Sequence, residues 1–144
     1  MADRLLVDRA REPQVTVCLD SWAVLAWLDG EQPAYRRVEA LLDQGPLMSW
    51  VNSVEVLCRV ERDHGRTAAD QVLTDLRRLM ELELPGASRM VETARLKAAL
   101  PIALADCFAV ATAASRGLAL LTGDPEILLR RNDLPCAVED LRGG

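Results

Sequence analysis

VTVCLDSWAVLAWLDG, residues 15–30, changes its hydrophobic pattern at a single residue. Val15 to Leu19 is an apolar, β-rich run of strand length, whereas Ser21 to Leu28 is apolar all round in the manner of a buried helix. Asp20 stands between them. The same handover recurs down the chain. Pro46 opens a second apolar run, Leu47 to Val51, followed by Asn52 and a helix to about Arg62. Leu82 to Leu84 reads as a weak third strand, and Leu118 to Leu121 as a further strand turned by Thr122-Gly123-Asp124-Pro125 into a short helix, Glu126 to Arg131. A last strand is expected at Cys136 to Val138. Strands alternating with helices predict an α/β domain whose parallel sheet is covered on both faces.

Between these strands the helical patterns are ordinary. Tyr35 to Leu42 forms a short helix ending near Gly45, His64-Gly65 closes the second long helix, and Thr67 is placed to cap the next. Val72, Leu73, Leu76, Leu79 and Met80 give that helix an amphipathic stripe. Ser88 is placed to cap a helix through Ala99 that stops before Pro101. Ala105 to Ser115 is the most apolar helix in the chain, with Asp106 as its single acid.

Four acids, Asp20, Glu55, Asp106 and Asp124, each stand where an expected strand hands over to an expected helix. In an open α/β sheet the carboxyl ends of parallel strands share one edge, so acids distant in sequence converge there. Clustered carboxylates suit a hard cation such as Mg²⁺ or Mn²⁺. Taken singly, three of the four have simpler structural roles. Asp20 is a good N-cap, Asn52 and Glu55 have capping-box spacing, and Asp124-Pro125 is a cap followed by a first-turn proline. Glu55 is also one turn from Arg59, a pairing worth ~0.3–0.5 kcal/mol on an exposed helix. Asp106 differs, because a lone carboxylate on an apolar helix needs a cleft, a cation or hydrogen bonds to offset several kcal/mol of desolvation.

The 144 residues, half of them apolar, are enough for one well-formed core. We expect residues 1–14 to be a loosely ordered leader and 15–142 to form one domain. No apolar run approaches the roughly 18 residues of a membrane helix, and the leader has no signal-peptide pattern. Cys18, Cys58, Cys107 and Cys136 are scattered without a CxxC pair, and His64 is the only histidine, which argues against a zinc cage and suits a reducing cytoplasm. The net charge of −5 argues against a broadly basic nucleic-acid surface. It leaves room for local arginine clusters, and Arg59, Arg62 and Arg66, spaced along and just beyond the helix carrying Glu55, are candidates to contact RNA phosphates. Trp22, Trp27 and Trp50 have apolar neighbours and read as packing residues rather than base-stacking platforms.

Four segments, VCLDSWAVLAWLDGE, WVNSVEVLCRVERDHG, IALADCFAVATAA and LALLTGDPEI, resemble in order and register the successive motifs of PIN-domain ribonucleases, specifically VapC-type toxins of bacterial toxin–antitoxin pairs. The resemblance runs from about Val15 to Asp140. It implies a three-layer αβα fold with a central parallel sheet of four to five strands. It places Asp20, Glu55, Asp106 and Asp124 on the family's catalytic, metal-binding acids, and Ser21 and Thr122 on nearby supporting hydroxyls. It further implies a Mg²⁺- or Mn²⁺-dependent endoribonuclease that leaves a 5′-phosphate and a 3′-hydroxyl, forms a homodimer and is silenced by a cognate VapB-type antitoxin. Cys107 stands where an alanine is more usual, and the leader before Val15 is longer than in many members.

Other classes fit less well. A receiver-type signalling domain needs a lysine after a late strand, and the only lysine, Lys97, lies in an expected helix. A dehalogenase-type phosphatase needs an aspartate where Trp22 stands, and a serine hydrolase needs a G-x-S-x-G turn that is missing. The serious rival is a catalytically inactive PIN-like interaction module.

Overall fold

The computed structural model describes residues 15–143, so the leader at 1–14 lies outside the described residues. Five strands, β1 (Val17–Leu19), β2 (Leu47–Ser49), β3 (Glu81–Glu83), β4 (Ala119–Thr122) and β5 (Val138–Asp140), form one sheet in the order β3-β2-β1-β4-β5. Every pairing is parallel. Helices α1 (Ser21–Leu28), α2 (Ala34–Leu41), α3 (Trp50–His64), α4 (Arg66–Leu79), α5 (Ala87–Ala99), α6 (Leu104–Ser115) and α7 (Pro125–Leu129) make the crossovers. The chain first builds outward from β1 through β2 to β3, then returns to add β4 on the other side of β1. The order therefore reverses between β1 and β4, which opens a crevice at their carboxyl ends.

Side-chain alternation along the strands divides the core in two. Leu19, Met48 and Leu121 face one layer with Val24, Val38, Val56 and Leu76, from α1 to α4. Cys18, Leu47 and Leu120 face the other, with Ile102, Cys107, Val110 and Ala113 around α6, and Ile127 of α7. Register matches the faces, since Cys18 lies opposite both Leu47 and Leu120, and Leu19 opposite both Met48 and Leu121. A one-residue slip would exchange the layers, so burial on both faces fixes the register. Helix α6 is the element buried most nearly all round, with Asp106 through Ala113 all inside. That burial explains its continuous apolar sequence. Gly117, at φ 65°, ends it, and the Leu118 amide donates back to the Ala113 carbonyl at 3.0 Å.

Several boundaries differ from the sequence expectations, each for a local reason. Strand β2 stops at Ser49 rather than Val51, because the Ser49 hydroxyl caps α3 by accepting from the Val51 amide at 3.2 Å. Asn52 is thus no cap; it lies buried in the first turn. Gly65, at φ 93°, separates α3 from α4 and leaves Thr67 inside the helix, and α5 begins at Ala87 with no side-chain cap from Ser88. Strand β5 sits two residues later than Cys136–Val138. Asp106 follows a helix–helix turn rather than a strand, and Glu55 lies in the second turn of α3.

The four cysteines are free thiols, with Cys18 and Cys107 fully buried in the α6 layer. Among the described residues no helix is long and apolar enough to cross a membrane. Leu120, completely buried on β4 in the layer of α6, tests the core. Leu120→Ala should lower unfolding free energy by about 2–5 kcal/mol in urea denaturation.

Candidate metal centre

Asp20 closes β1 and opens α1. Its Oδ1 accepts from the Ala23 amide at 2.9 Å as the helix cap, and its Oδ2 accepts a very short hydrogen bond from the Thr122 hydroxyl. That hydroxyl in turn accepts from the Asp124 amide at 2.9 Å. One threonine thus joins the carboxyl end of β1 to the turn after β4. Asp124 caps α7 through Oδ1, which accepts from the Glu126 amide at 2.9 Å, with Pro125 supplying the first helical residue. Across the crevice, the Ser21 hydroxyl donates to Glu55 Oε1 at 2.8 Å, which holds the exposed Glu55 against α1. The expected pairing of Glu55 with Arg59 is not made; Arg59 pairs with Asp63 at 3.0 Å instead.

Asp106 projects from the first turn of α6. Only 6 % of it is exposed, yet its carboxylate accepts no hydrogen bond among the described residues. Carboxylate oxygens of Asp106, Asp124 and Glu126 lie within 4.8 Å of one another. Glu126 had no signal in the sequence beyond its place in a helix start. Asp20 and Glu55 lie outside that tight group but near enough to be felt. Burial, then Asp124, Asp20, Glu55 and Glu126, push Asp106 up to about 7. Burial likewise pushes Asp20 up to about 7, opposed by its hydrogen bonds from Thr122 and Ala23 and helped by Asp124 and Glu55. Each like-charge pair about 4 Å apart costs ~1 kcal/mol even at the dielectric of water, and more in a sheltered crevice.

The other acids at this edge are neutralised by the protein itself. Glu83, at the end of β3, is gripped in two-pronged fashion by Arg89 at 2.8 and 3.1 Å, which holds its carboxyl below the ordinary range. Asp140, at the end of β5, is held low by Arg142 in the same way. Among the described residues no lysine or arginine pairs with Asp20, Glu55, Asp106, Asp124 or Glu126. An all-oxygen donor set, poor in cations and rich in carboxylates, fits Mg²⁺ or Mn²⁺.

Asn52 sits behind the site. Completely buried, it donates from Nδ2 to the Ala105 carbonyl at 3.1 Å, tying the helix of Glu55 to the start of the helix of Asp106. Its Oδ1 has no partner. Arg59 lines a cavity of about 220 Å³ with Leu25, Leu28, Val60 and Val72, one turn down α3 from Glu55. Arg62 and Arg66 are exposed still farther along. Two tryptophans have structural partners, Trp27 donating to Glu39 at 2.6 Å and Trp50 lying under Arg77 at 5.9 Å. Trp22 covers Gly123 so closely that a Cβ there would fall 2.3 Å from its ring.

Two outcomes follow for the metal-free protein. Gly123→Ala should cost about 1–3 kcal/mol of stability, because the half-buried Trp22 ring must shift, and tryptophan emission should change with it. The raised values of Asp20 and Asp106 mean that the folded state binds protons more tightly than the unfolded state between the ordinary carboxyl value of 3.8 and about 7. Stability in chelator should therefore fall as pH rises through that window and level off above it, as melting temperatures at pH 5.5 and pH 8 will register.

The PIN domain family model matches residues 17–133. Among curated proteins none matches the sequence significantly. Solved structures do match in fold. A DNA-bound VapBC from Salmonella typhimurium superposes with a TM-score of 0.71 at 17% identity, covering 89% of this chain and 99% of that one. VapBC from nontypeable Haemophilus influenzae gives 0.66 at 19% identity, with 89% and 99% covered. A sarcin–ricin-loop-cleaving VapC toxin from Mycobacterium tuberculosis gives 0.65 at 15% identity, with 79% and 94% covered. With the family model spanning most of the chain and all five acids inside its limits, this protein belongs to the PIN-domain family.

Proposed function

We propose that the protein is a divalent-metal-dependent endoribonuclease, a VapC-type toxin held in check by a cognate VapB-type antitoxin. The observation that carries this reading is the set of carboxylates converging on the β1/β4 crevice without a cationic side chain, while Glu83 and Asp140 on the same edge each have an arginine. Asp20, Glu55 and Asp106 act as ligands, directly or through water, and Asp124 serves a second metal position or supports the attacking water. Mg²⁺ or Mn²⁺ bound there supplies polarisation of the scissile phosphate, a lowered pKa for water and stabilisation of the leaving 3′-oxygen.

The chain's own part is orientation. Thr122 fixes the rotation of the Asp20 carboxylate, and Ser21 fixes that of Glu55, so neither has to be ordered when substrate arrives. Arg59, Arg62 and Arg66 contribute phosphate contacts along one side of the RNA path, the first two exposed on α3 beyond Glu55 and the third at the start of α4. The match in fold to structures solved as VapBC complexes supports an antitoxin partner, and the homodimer is carried over from the family resemblance alone. A reducing cytoplasm, where RNA and antitoxin are both present, suits the free thiols.

Purified protein incubated with total cellular RNA should cut it at discrete sites with Mg²⁺ or Mn²⁺ and not with chelator. Asp106→Asn, shown by circular dichroism to be folded, should lose at least about 100-fold in cleavage rate. Equal cutting by both proteins would overturn the assignment. Absence of cutting by wild type despite bound metal would move weight to an inactive interaction module.

A further inference from the structure

Asn52 is completely buried, and its carboxamide is only partly satisfied. Nδ2 donates to the Ala105 carbonyl at 3.1 Å, across 53 residues of sequence, while Oδ1 has no partner. Among the described residues no other buried side-chain nitrogen or oxygen is left in this state. For stability alone this is a poor use of a core position. A buried hydrogen bond contributes little net, because water is given up to make it, whereas a stranded buried acceptor costs more than one such bond returns. The Ala105 carbonyl does not need the amide either, since its place in α6 gives it a helical partner. A leucine, close to asparagine in shape, would fill the position without stranding an acceptor.

What the amide does is join the two walls that carry acids. Asn52 stands three residues before Glu55 on α3, and Ala105 is the residue before Asp106 on α6. Apolar contact between these helices is non-directional, while a hydrogen bond prefers one distance and one direction. Ser53 supplies the contrast. It is as buried as Asn52, yet its hydroxyl bonds only to the Met48 sulfur and the Ser49 carbonyl, so it makes no side-chain bond to α6.

We propose that Asn52 is a positioning residue, whose bond to Ala105 sets the spacing of the Glu55 and Asp106 carboxylates at a net cost in stability. The proposal rests on the metal-dependent reading above. It gives the polar atom stranded in the core a reason to be there, and it extends the working part of the site behind the acids to a side chain that touches neither substrate nor metal.

The full chain carrying Asn52→Leu separates placement from stability. In chelator the variant should melt at or above the wild-type temperature. With saturating Mn²⁺ and an oligoribonucleotide containing one mapped cleavage site, its kcat should fall about 10–100-fold while KM stays at the wild-type value, because the reacting groups are misplaced and the RNA-contacting surface is not. Ser53→Ala, at a neighbouring buried position without that link, should keep the wild-type kcat. A lower melting temperature in Asn52→Leu, or an unchanged kcat, would reduce Asn52 to core packing and overturn its role while leaving the metal-dependent reading in place. Wild-type protein that neither binds Mn²⁺ in calorimetry nor cuts RNA would overturn that reading and this one with it.

Discussion

Thr122 donates to Asp20 where the sheet reverses its order, and that hydrogen bond ties together the two strand ends between which the crevice opens. Threonine suits the position because it does three things at once. Its β-branched body belongs in a buried strand, its hydroxyl hydrogen goes to Asp20, and its oxygen receives the Asp124 amide that starts the next turn. The loop carrying Asp124 and Glu126 therefore takes its position from Asp20, and Asp20 takes its own from the end of β1. On the opposite wall, Asn52 performs a related task by linking α3 to the start of α6. Two buried polar contacts thus set the separation of the elements that carry the acids.

Those contacts hold in place a charge arrangement that the fold would otherwise resist. Asp20 and Asp106 are both raised to about 7, chiefly by burial, and no arginine of the described residues answers them. The opposing energy comes from the two core layers, where Leu19, Leu47, Leu120, Leu121 and Ile127 are completely buried beneath the acids' own elements. Full burial of such side chains contributes about 1.5–3 kcal/mol each, enough together to outweigh several like-charge contacts. Clustered repulsion at a site backed by a rigid core is how a protein keeps ligands pre-arranged for a cation instead of relaxing into internal ion pairs.

Much of this architecture is legible in the sequence because it rests on local signals. The change of pattern at Asp20 locates both β1 and α1, and the unbroken apolar run of Ala105 to Ser115 marks the buried helix. The strand edges and caps were harder to read. Ser49 and Asn52 are both good caps, and only the contact of Asn52 with Ala105, 53 residues away, takes it out of the competition. Asp106 was the acid whose surroundings most called for a partner, and it lies nine-tenths buried in the tight carboxylate group. Glu126 gives no such signal: a glutamate after Asp-Pro is ordinary helix-start composition, and its closeness to Asp106 arises only when α6 and α7 pack on the same sheet face. Glu83 and Asp140 are edge acids too, but each is paired by an arginine, six and two residues farther along the chain respectively.

The 102-residue separation of Asp20 and Thr122 carries a consequence for the protein's birth. At a synthesis rate of about 5–20 residues per second, the partner of Asp20 is made roughly 5–20 s after it, and β1 waits that long for its neighbour on one side. Helices α1 to α4 can condense on β1, β2 and β3 during the delay, but the crevice has only one wall until β4 arrives. The carboxylate site is thereby assembled late in synthesis, after most of the chain has been made.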